Sequence, residues 1–262
     1  MLGLVNNIFS TSTVISSAVE SASTKSVLFD ADDEHVDTGV NFTTLMRNSF
    51  TVSFWAKPAD GHPSDIEHMF AAKHSTTTQE FHISLRDDGD VYVHFRSTGL
   101  HANRTNSASF SDGSGDYKHV VVVMTKNPGA SSTSKVYING VQQATTLSTD
   151  SVDDSAQEAF DIDATHYIGA RNTGGSSVQR EYAGNIDEFS FWTTSLSDAQ
   201  ILEIYNSGTT TDLTTHTFSN NLQHWWRMGD GTENGSGTTI YDMSSNSSNA
   251  TLSGATFSTT VP

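Results

Sequence analysis

The sequence predicts an all-β protein, a two-sheet antiparallel sandwich with one short helix, and three observations lead there. Apolar and polar side chains alternate with period two in segment after segment. Turn residues recur between those segments at sandwich spacing. Only one stretch combines a helical apolar pattern with caps at both ends. A chain of 262 residues can bury one good-sized core, and sandwiches of this length commonly stay single-domain.

The elements follow in order. Residues 1–25 read as an N-terminal arm or leader, with mild apolar spacing at Val14, Ile15 and Val19 among many Ser and Thr. The leader is either frayed or helical, or it docks onto a neighbouring subunit, and the docking arm is the favoured reading. Residues 26–262 form the sandwich. Val27 begins the period-two pattern; Phe50, Val52 and Phe54 then alternate with Thr51, Ser53 and Trp55 until Pro58 ends that strand. Phe81, Ile83 and Leu85 are joined to Val91, Val93 and Phe95 by Asp87-Asp88-Gly89-Asp90, a hairpin with a glycine-containing turn. Val120 to Val123 form an unbroken apolar run, short enough to be a strand covered on both faces. Asn139-Gly140 between Val136-Tyr137-Ile138 and Val141 is the strongest short hairpin signal a sequence offers.

The helix begins at Ser197, a good N-cap; Ile201, Leu202 and Tyr205 share a face, and Gly208 stands where a left-handed residue ends it. It is expected to lie across one end of the sandwich. Trp55, Trp192, Trp225 and Trp226 read as core.

Thirteen basic against thirty acidic residues leave a formal charge of −17, which repels phosphate backbones and anionic headgroups. Nucleic acid and direct membrane insertion are therefore excluded as modes of action, and no apolar run reaches spanning length. The same acidity keeps a β-rich surface soluble. Cysteine is absent, removing disulfides, thiolate metal sites and cysteine nucleophiles. Met1 to Phe9 lacks a basic flank and a long apolar stretch, so no export signal is expected. Without secretion, the Asn41, Asn103 and Asn249 glycosylation tripeptides read as accidental.

Four segments resemble the LamG-like domain of the concanavalin A-like lectin and glucanase superfamily. Val27-Leu28-Phe29-Asp30-Ala31-Asp32-Asp33-Glu34-His35-Val36 is similar to the family's first strand, with Ala31 where glycine is usual. Phe50 to Pro58 is similar to the second core strand. Tyr117-Lys118-His119-Val120 with Val136 to Gly140 resembles the back-sheet hairpin. Gly184-Asn185-Ile186-Asp187-Glu188-Phe189 and the helix after it are the most specific match. The resemblance covers roughly residues 27 to 208 and implies a jelly-roll sandwich. Leu222 to Gly231, Asp242 to Asn246 and Asn249 to Leu252 resemble a strand and loop that family members carry ahead of the first strand; here they stand at the C-terminus. The segment from about 220 to 262 is expected to close its own sandwich, with donation to a neighbour as the alternative.

No enzymatic role is expected. The superfamily's glucanases carry Glu-x-Asp-x-x-Glu on one strand, and that spacing is missing. Asp187 and Glu188 are adjacent, so on a regular strand they point to opposite faces. There is no Gly-x-Ser-x-Gly elbow, phosphate loop or βαβ rhythm. The eleven histidines are scattered; His82, His94 and His119 read as structural or solvated strand residues, and zinc is not expected. The resemblance implies a Ca2+ ion with Asp30 and Asp187 as ligands and Glu188 as a weaker one; the alternative is that Asp187 hydrogen-bonds a loop without metal. Arg104, Arg171, Asn172 and Gly174 are the candidate ligand contacts on loops.

Two functions are expected to compete. One is a structural virion module, a head-decoration or fibre-type protein made in the host cytoplasm. It would sit on the virion surface among other virion chains and further copies of itself, presenting loops for adhesion to cell-surface glycans. The other is a free, calcium-dependent carbohydrate-binding module of an extracellular microbial assembly. A remnant glucanase is a weaker third.

Overall fold

The computed structural model describes residues 22–97, 99–127, 132–150, 160–175 and 177–262. Two sheets face each other. The first runs, in spatial order, Val141–Gln142, Thr133–Ile138, Lys118–Thr125, Phe50–Pro58, Gly184–Trp192, Ser26–Phe29 and Thr256–Ser258. Gly184–Trp192 is its spine. On one side it pairs with Phe50–Pro58 along its whole length. On the other, Ser26–Phe29 takes residues 184–186 and Leu222–Trp226 takes residues 189–192.

The second sheet runs Thr145–Asp150, Leu100–Thr105, Val91–Arg96, Glu80–Leu85, Glu67–Lys73, Tyr167–Ile168, His35–Asp37, Ala250–Ser253 and Thr239–Ile240. Pairing is antiparallel apart from the short Arg171–Asn172, which lies parallel to Glu67–Lys73 and forms a hairpin with Val178–Gln179. The tail pairs within this chain in both sheets: Ala250–Ser253 beside His35–Asp37, and Thr256–Ser258 beside Ser26–Phe29. Asp242 anchors it by accepting from Trp225 N and His224 Nδ1.

The period-two positions meet between the sheets. Phe50, Phe54, Phe189 and Phe191 from the first face Phe70, Phe81 and Phe95 from the second, all buried. Ring centroids lie 4.8 Å apart for Phe70 and Phe189 and 5.6 Å for Phe50 and Phe81, within the range of favourable aromatic pairs. The valine run is covered on both sides, as its unbroken hydrophobicity requires: Val120 and Val122 join the inter-sheet core, and Val121 and Val123 join a second apolar layer outside the first sheet.

That outer layer corrects the placement of the helix. Asp198–Tyr205 lies over the outer face of the first sheet, burying Ile201 and Ile204 with Val121, Tyr137, Trp192 and Trp225. Leu202, expected on the inward face, is 53% exposed, because Ile201 and Ile204 set the buried stripe. Ser197 and Gln200 form a reciprocal capping box. The left-handed ending starts at Asn206, two residues before Gly208.

Two further expectations are refined. The 80–85 and 91–96 hairpin and the Asn139-Gly140 turn form as read, both turn residues of the latter having positive φ. The first strand is divided, however: Ser26–Phe29 belongs to one sheet and His35–Asp37 to the other. Glu34 Oε2 accepts from the amides of Asp30 and Ala31 and closes the turn between them. A single helical turn, Thr43–Met46, is tied to Ile162 through the Thr43 hydroxyl. The N-terminal arm falls mostly outside the described residues. Its described end docks on the sandwich, with Ser23 N donating to Thr210 Oγ1.

Candidate functional site

Two polar centres stand out, one on the outer face of each sheet. The first is built by a backbone irregularity. Between Asp187, opposite Trp55, and Ser190, opposite Ser53, the Gly184–Trp192 strand holds one residue more than its partner. This β-bulge coincides with a left-handed Glu188, φ 48°. It abolishes the alternation that would send neighbouring residues to opposite faces, so Ile186 and Phe189 both enter the core while Asp187 and Glu188 both turn outward. The expectation that these carboxylates diverge is therefore wrong. With Asp230 they present ligand atoms within 4.8 Å of one another.

Each carboxylate has its own support. Glu188 accepts from Trp225 Nε1 at 2.6 Å and Arg227 Nε at 3.0 Å, a buried ion pair. Asp187 accepts from the amide of Glu188 at 2.8 Å and the hydroxyl of Ser23 at 2.6 Å. Asp230 receives the amides of Thr24 and Lys25. Burial pushes the Asp187 carboxyl well above the carboxylate range, and Glu188 beside it adds to the effect. Burial also lifts Glu188, while Arg227 and Trp225 hold it down.

Asp30 is not part of this group. The register places Phe29 opposite Gly184 and Val27 opposite Ile186, so Asp30 lies beyond the end of the ladder, several residues from Asp187. It is exposed and lines a separate cleft with Asp32, Glu67 and Glu181. Asp230, unflagged by the sequence reading, takes its place. The donor set that results suits a hard cation. The Ser23 hydroxyl faces three acceptors, Lys25 O, Asp187 Oδ2 and Asp230 Oδ2, with one proton to give. Glu188 is committed to Arg227 and contributes least.

The second centre covers the outer face of the second sheet. Glu80, His82 and Ser84 alternate outward along one strand, with Tyr92 and His94 outward on the next, because Phe81, Ile83, Val93 and Phe95 face the core. His82 is directly opposite His94, and Tyr92 is opposite Arg104. Their rings form a ladder: His68 and His82 stack at 4.3 Å, His82 and His94 at 4.6 Å. Arg171 reaches in from the short hairpin, donating to Glu80 Oε2 at 3.2 Å and Gln179 Oε1 at 2.6 Å. Glu80 Oε1 lies 3.1 Å from His94 Nε2. Burial would raise the Glu80 carboxyl, but His94, His82 and Arg171 outweigh it and bring it to about 2. Tyr92 carries Arg86 over its ring at 5.6 Å.

Among the predicted contacts, Arg171 and Arg104 both lie on this face. Arg104 pairs with Asp88 at 3.0 Å. Asn172 instead folds its own loop: its amide donates to Thr165 O and its carbonyl accepts from Gly174 N. Gly174, at φ +71°, supplies that turn beside Ser75. Glu80, Tyr92, His82 and His94 were missed as a group. Their signal was present, since Glu80-x-His82 and Tyr92-x-His94 each put two outward residues on neighbouring strands of a legible hairpin.

The comparisons agree with this architecture. A protein from Bacteroides ovatus, provisionally described as carbohydrate-binding, superposes with a TM-score of 0.58 at 18% identity, over 90% of this chain and 60% of that one. The CBM40 of Ruminococcus gnavus IT-sialidase, bound to α2,3-sialyllactose, gives 0.54 at 13% identity, over 70% of this chain and 99% of that one. A leech intramolecular trans-sialidase gives 0.52 at 14% identity, with 71% of this chain matching 27% of the enzyme. The chain thus spans less than two thirds of the Bacteroides protein and about a quarter of the leech enzyme. These likenesses are of fold. No curated protein matches the chain. The Laminin_G_3 family model matches residues 30–202, from the first turn to the helix, and the chain belongs to the concanavalin A-like lectin/glucanases superfamily.

Proposed function

We propose that this chain is a non-enzymatic glycan-binding module whose recognition surface is the outer face of the second sheet. The observation that carries the reading is the Arg171–Glu80–His94 network with Tyr92 and Arg104 beside it. Fixed, mutually paired charges offer hydroxyls both donors and acceptors, and an aromatic ring offers an apolar sugar face a stacking partner. The lectin-like fold and the sugar bound by the R. gnavus neighbour support the assignment. A carboxylated sugar fits Arg171, whose Nε is buried without a partner.

The finer setting is part of the same proposal. The module is displayed on a virion surface, beside copies of itself and other virion chains, as its acidic, cysteine-free composition suggests; the alternative is a free calcium-dependent module outside a microbial cell. In either setting Asp187 and Asp230 are the residues that would hold a Ca2+ ion. That ion would supply the positive charge their oxygens lack and tie Ser23 to Lys25 onto the first sheet.

Titration calorimetry with sialyllactose and lactose tests the surface. Sialyllactose is expected to bind, and Arg171→Ala to weaken it at least about tenfold, the loss of one charge-assisted contact of about 1.5–3 kcal/mol. A folded protein that binds neither sugar, nor any member of a broad glycan array, would overturn the reading.

A further inference from the structure

We propose that Glu80, His82 and His94 form a binding site for a divalent transition ion of the zinc class. Three features of the second sheet bring it about. Glu80 and His82 are two apart on one strand, so both project outward, and His94 is directly opposite His82 on the next strand. One ligand atom from each lies within 4.8 Å of the others. Bonds of about 2.0–2.1 Å in tetrahedral geometry need donors about 3.3–3.5 Å apart, so a tilt of the two stacked rings toward each other closes the site.

The remaining atoms are arranged as ligand supports. His82 Nδ1 meets the Ser84 hydroxyl at 2.5 Å, and His94 Nδ1 meets the Tyr92 hydroxyl at 3.3 Å. With Nδ1 engaged in each ring, Nε2 is the coordinating atom, the arrangement in which an outer partner fixes the tautomer. His94 Nε2 is buried and, although 3.1 Å from Glu80 Oε1, is misaligned for a hydrogen bond. A metal between the two satisfies both. Arg171 holds the other Glu80 oxygen and orients the carboxylate.

Two imidazoles and one carboxylate are the donor set of zinc-like ions and a poor one for calcium, which takes oxygen ligands. Three protein ligands leave a fourth coordination position for a water or another ligand. Cationic neighbours are balanced locally, Arg180 by Asp65 at 2.9 Å and Arg171 by Glu80, within a chain of net charge −17. Metal uptake needs no sugar, so it stands or falls separately from the glycan reading.

Calorimetry with ZnCl2 on the full chain, freed of any histidine tag and saturated with CaCl2, tests the site. One Zn2+ per chain is expected. Glu80→Gln and His94→Gln should each weaken it by at least about tenfold, the scale on which even the partners of metal ligands act. His35→Gln, three strands away from Glu80–Leu85 in the sheet order, should leave it unchanged. If a ligand variant fails to fold, Ser84→Ala and the absorption spectrum of the Co2+-loaded native chain serve instead: weakened binding and a tetrahedral spectrum support the site. No zinc heat from folded protein, undiminished affinity in the folded ligand or Ser84 variants, or an octahedral Co2+ spectrum would overturn it.

Discussion

Arg227→Met is the sharpest test of how the bulge is held. Arg227 is 2% exposed and donates through Nε to Glu188 Oε1 at 3.0 Å, with its guanidinium 5.4 Å from the Trp225 ring centroid. Methionine keeps much of the buried stem and removes the charge. Glu188 is then left with Trp225 Nε1 as its side-chain donor and with the carboxyls of Asp187 and Asp230 beside it. Breaking one half of a buried pair costs about 3–5 kcal/mol. Against a net stability of about 5–15 kcal/mol this is a large share, and it lowers Tm by roughly 6–20 °C in a chain of this size. Urea unfolding in EGTA gives the free energy without interference from calcium. The double variant Arg227→Met/Glu188→Gln removes both charges and should recover more than half of the loss, since the uncompensated carboxylate is the main penalty. A single-variant loss below about 1 kcal/mol, or a double variant less stable than the single, would refute the claim that Arg227 neutralises Glu188.

Other outcomes follow from the same geometry. His119 and His166 are buried and held neutral by desolvation at about 3, against 6.5 unfolded. Their depressed values mean that stability is present above pH 6.5 and drains away as pH falls toward 3, each contributing up to about 5 kcal/mol. Glu67, raised to about 7 chiefly by burial, works in the opposite sense, contributing below pH 4.5 and losing its contribution as pH rises through 7. Unfolding from pH 7.5 to 4 should show a net decline, flattened in His166→Phe; a flat native profile sinks this account. Gly184→Ala meets Lys57 O at 2.3 Å and a φ of +138°, so a loss of about 1–3 kcal/mol is expected, and an unchanged Tm would contradict it. Phe189→Ala should cost about 3–5 kcal/mol in denaturant unfolding, and a loss under about 1 would mean that the core closes over the gap.

The fold was legible because its signals are local and repeated. Phe50, Val52 and Phe54 could only alternate toward a core, and Asn139-Gly140 could only make a tight reversal. The division of residues 27–36 between two sheets was not legible, because the Glu34 carboxylate that closes that turn is one of many acidic residues in an acidic chain. The helix position escaped for a related reason. Its pattern shows which side is apolar but not which apolar surface receives it, and the receiving surface here is made by Val121, Tyr137 and Trp192, far apart in sequence.

The candidate sites were legible in proportion to how regular their strands are. On the second sheet the 80–85 and 91–96 strands pair without a register shift, so period-two reasoning carried one step further would have put Glu80, His82, Tyr92 and His94 on one face; only their convergence with Arg171 needed the tertiary structure. On the first sheet the same reasoning misleads, since it assumes an alternation that one extra residue cancels. That residue can be recognised in retrospect from the core: Ile186 and Phe189 are three apart, not two, yet both are buried between the sheets. An odd apolar spacing inside an otherwise strict strand is a sign of a bulge. Here the bulge sits where the spine changes partner from Ser26–Phe29 to Leu222–Trp226. The gap between those partners admits Trp225 and Arg227 to Glu188 and Ser23 to Asp187, so a break in the ladder becomes a place where charge can be buried and satisfied.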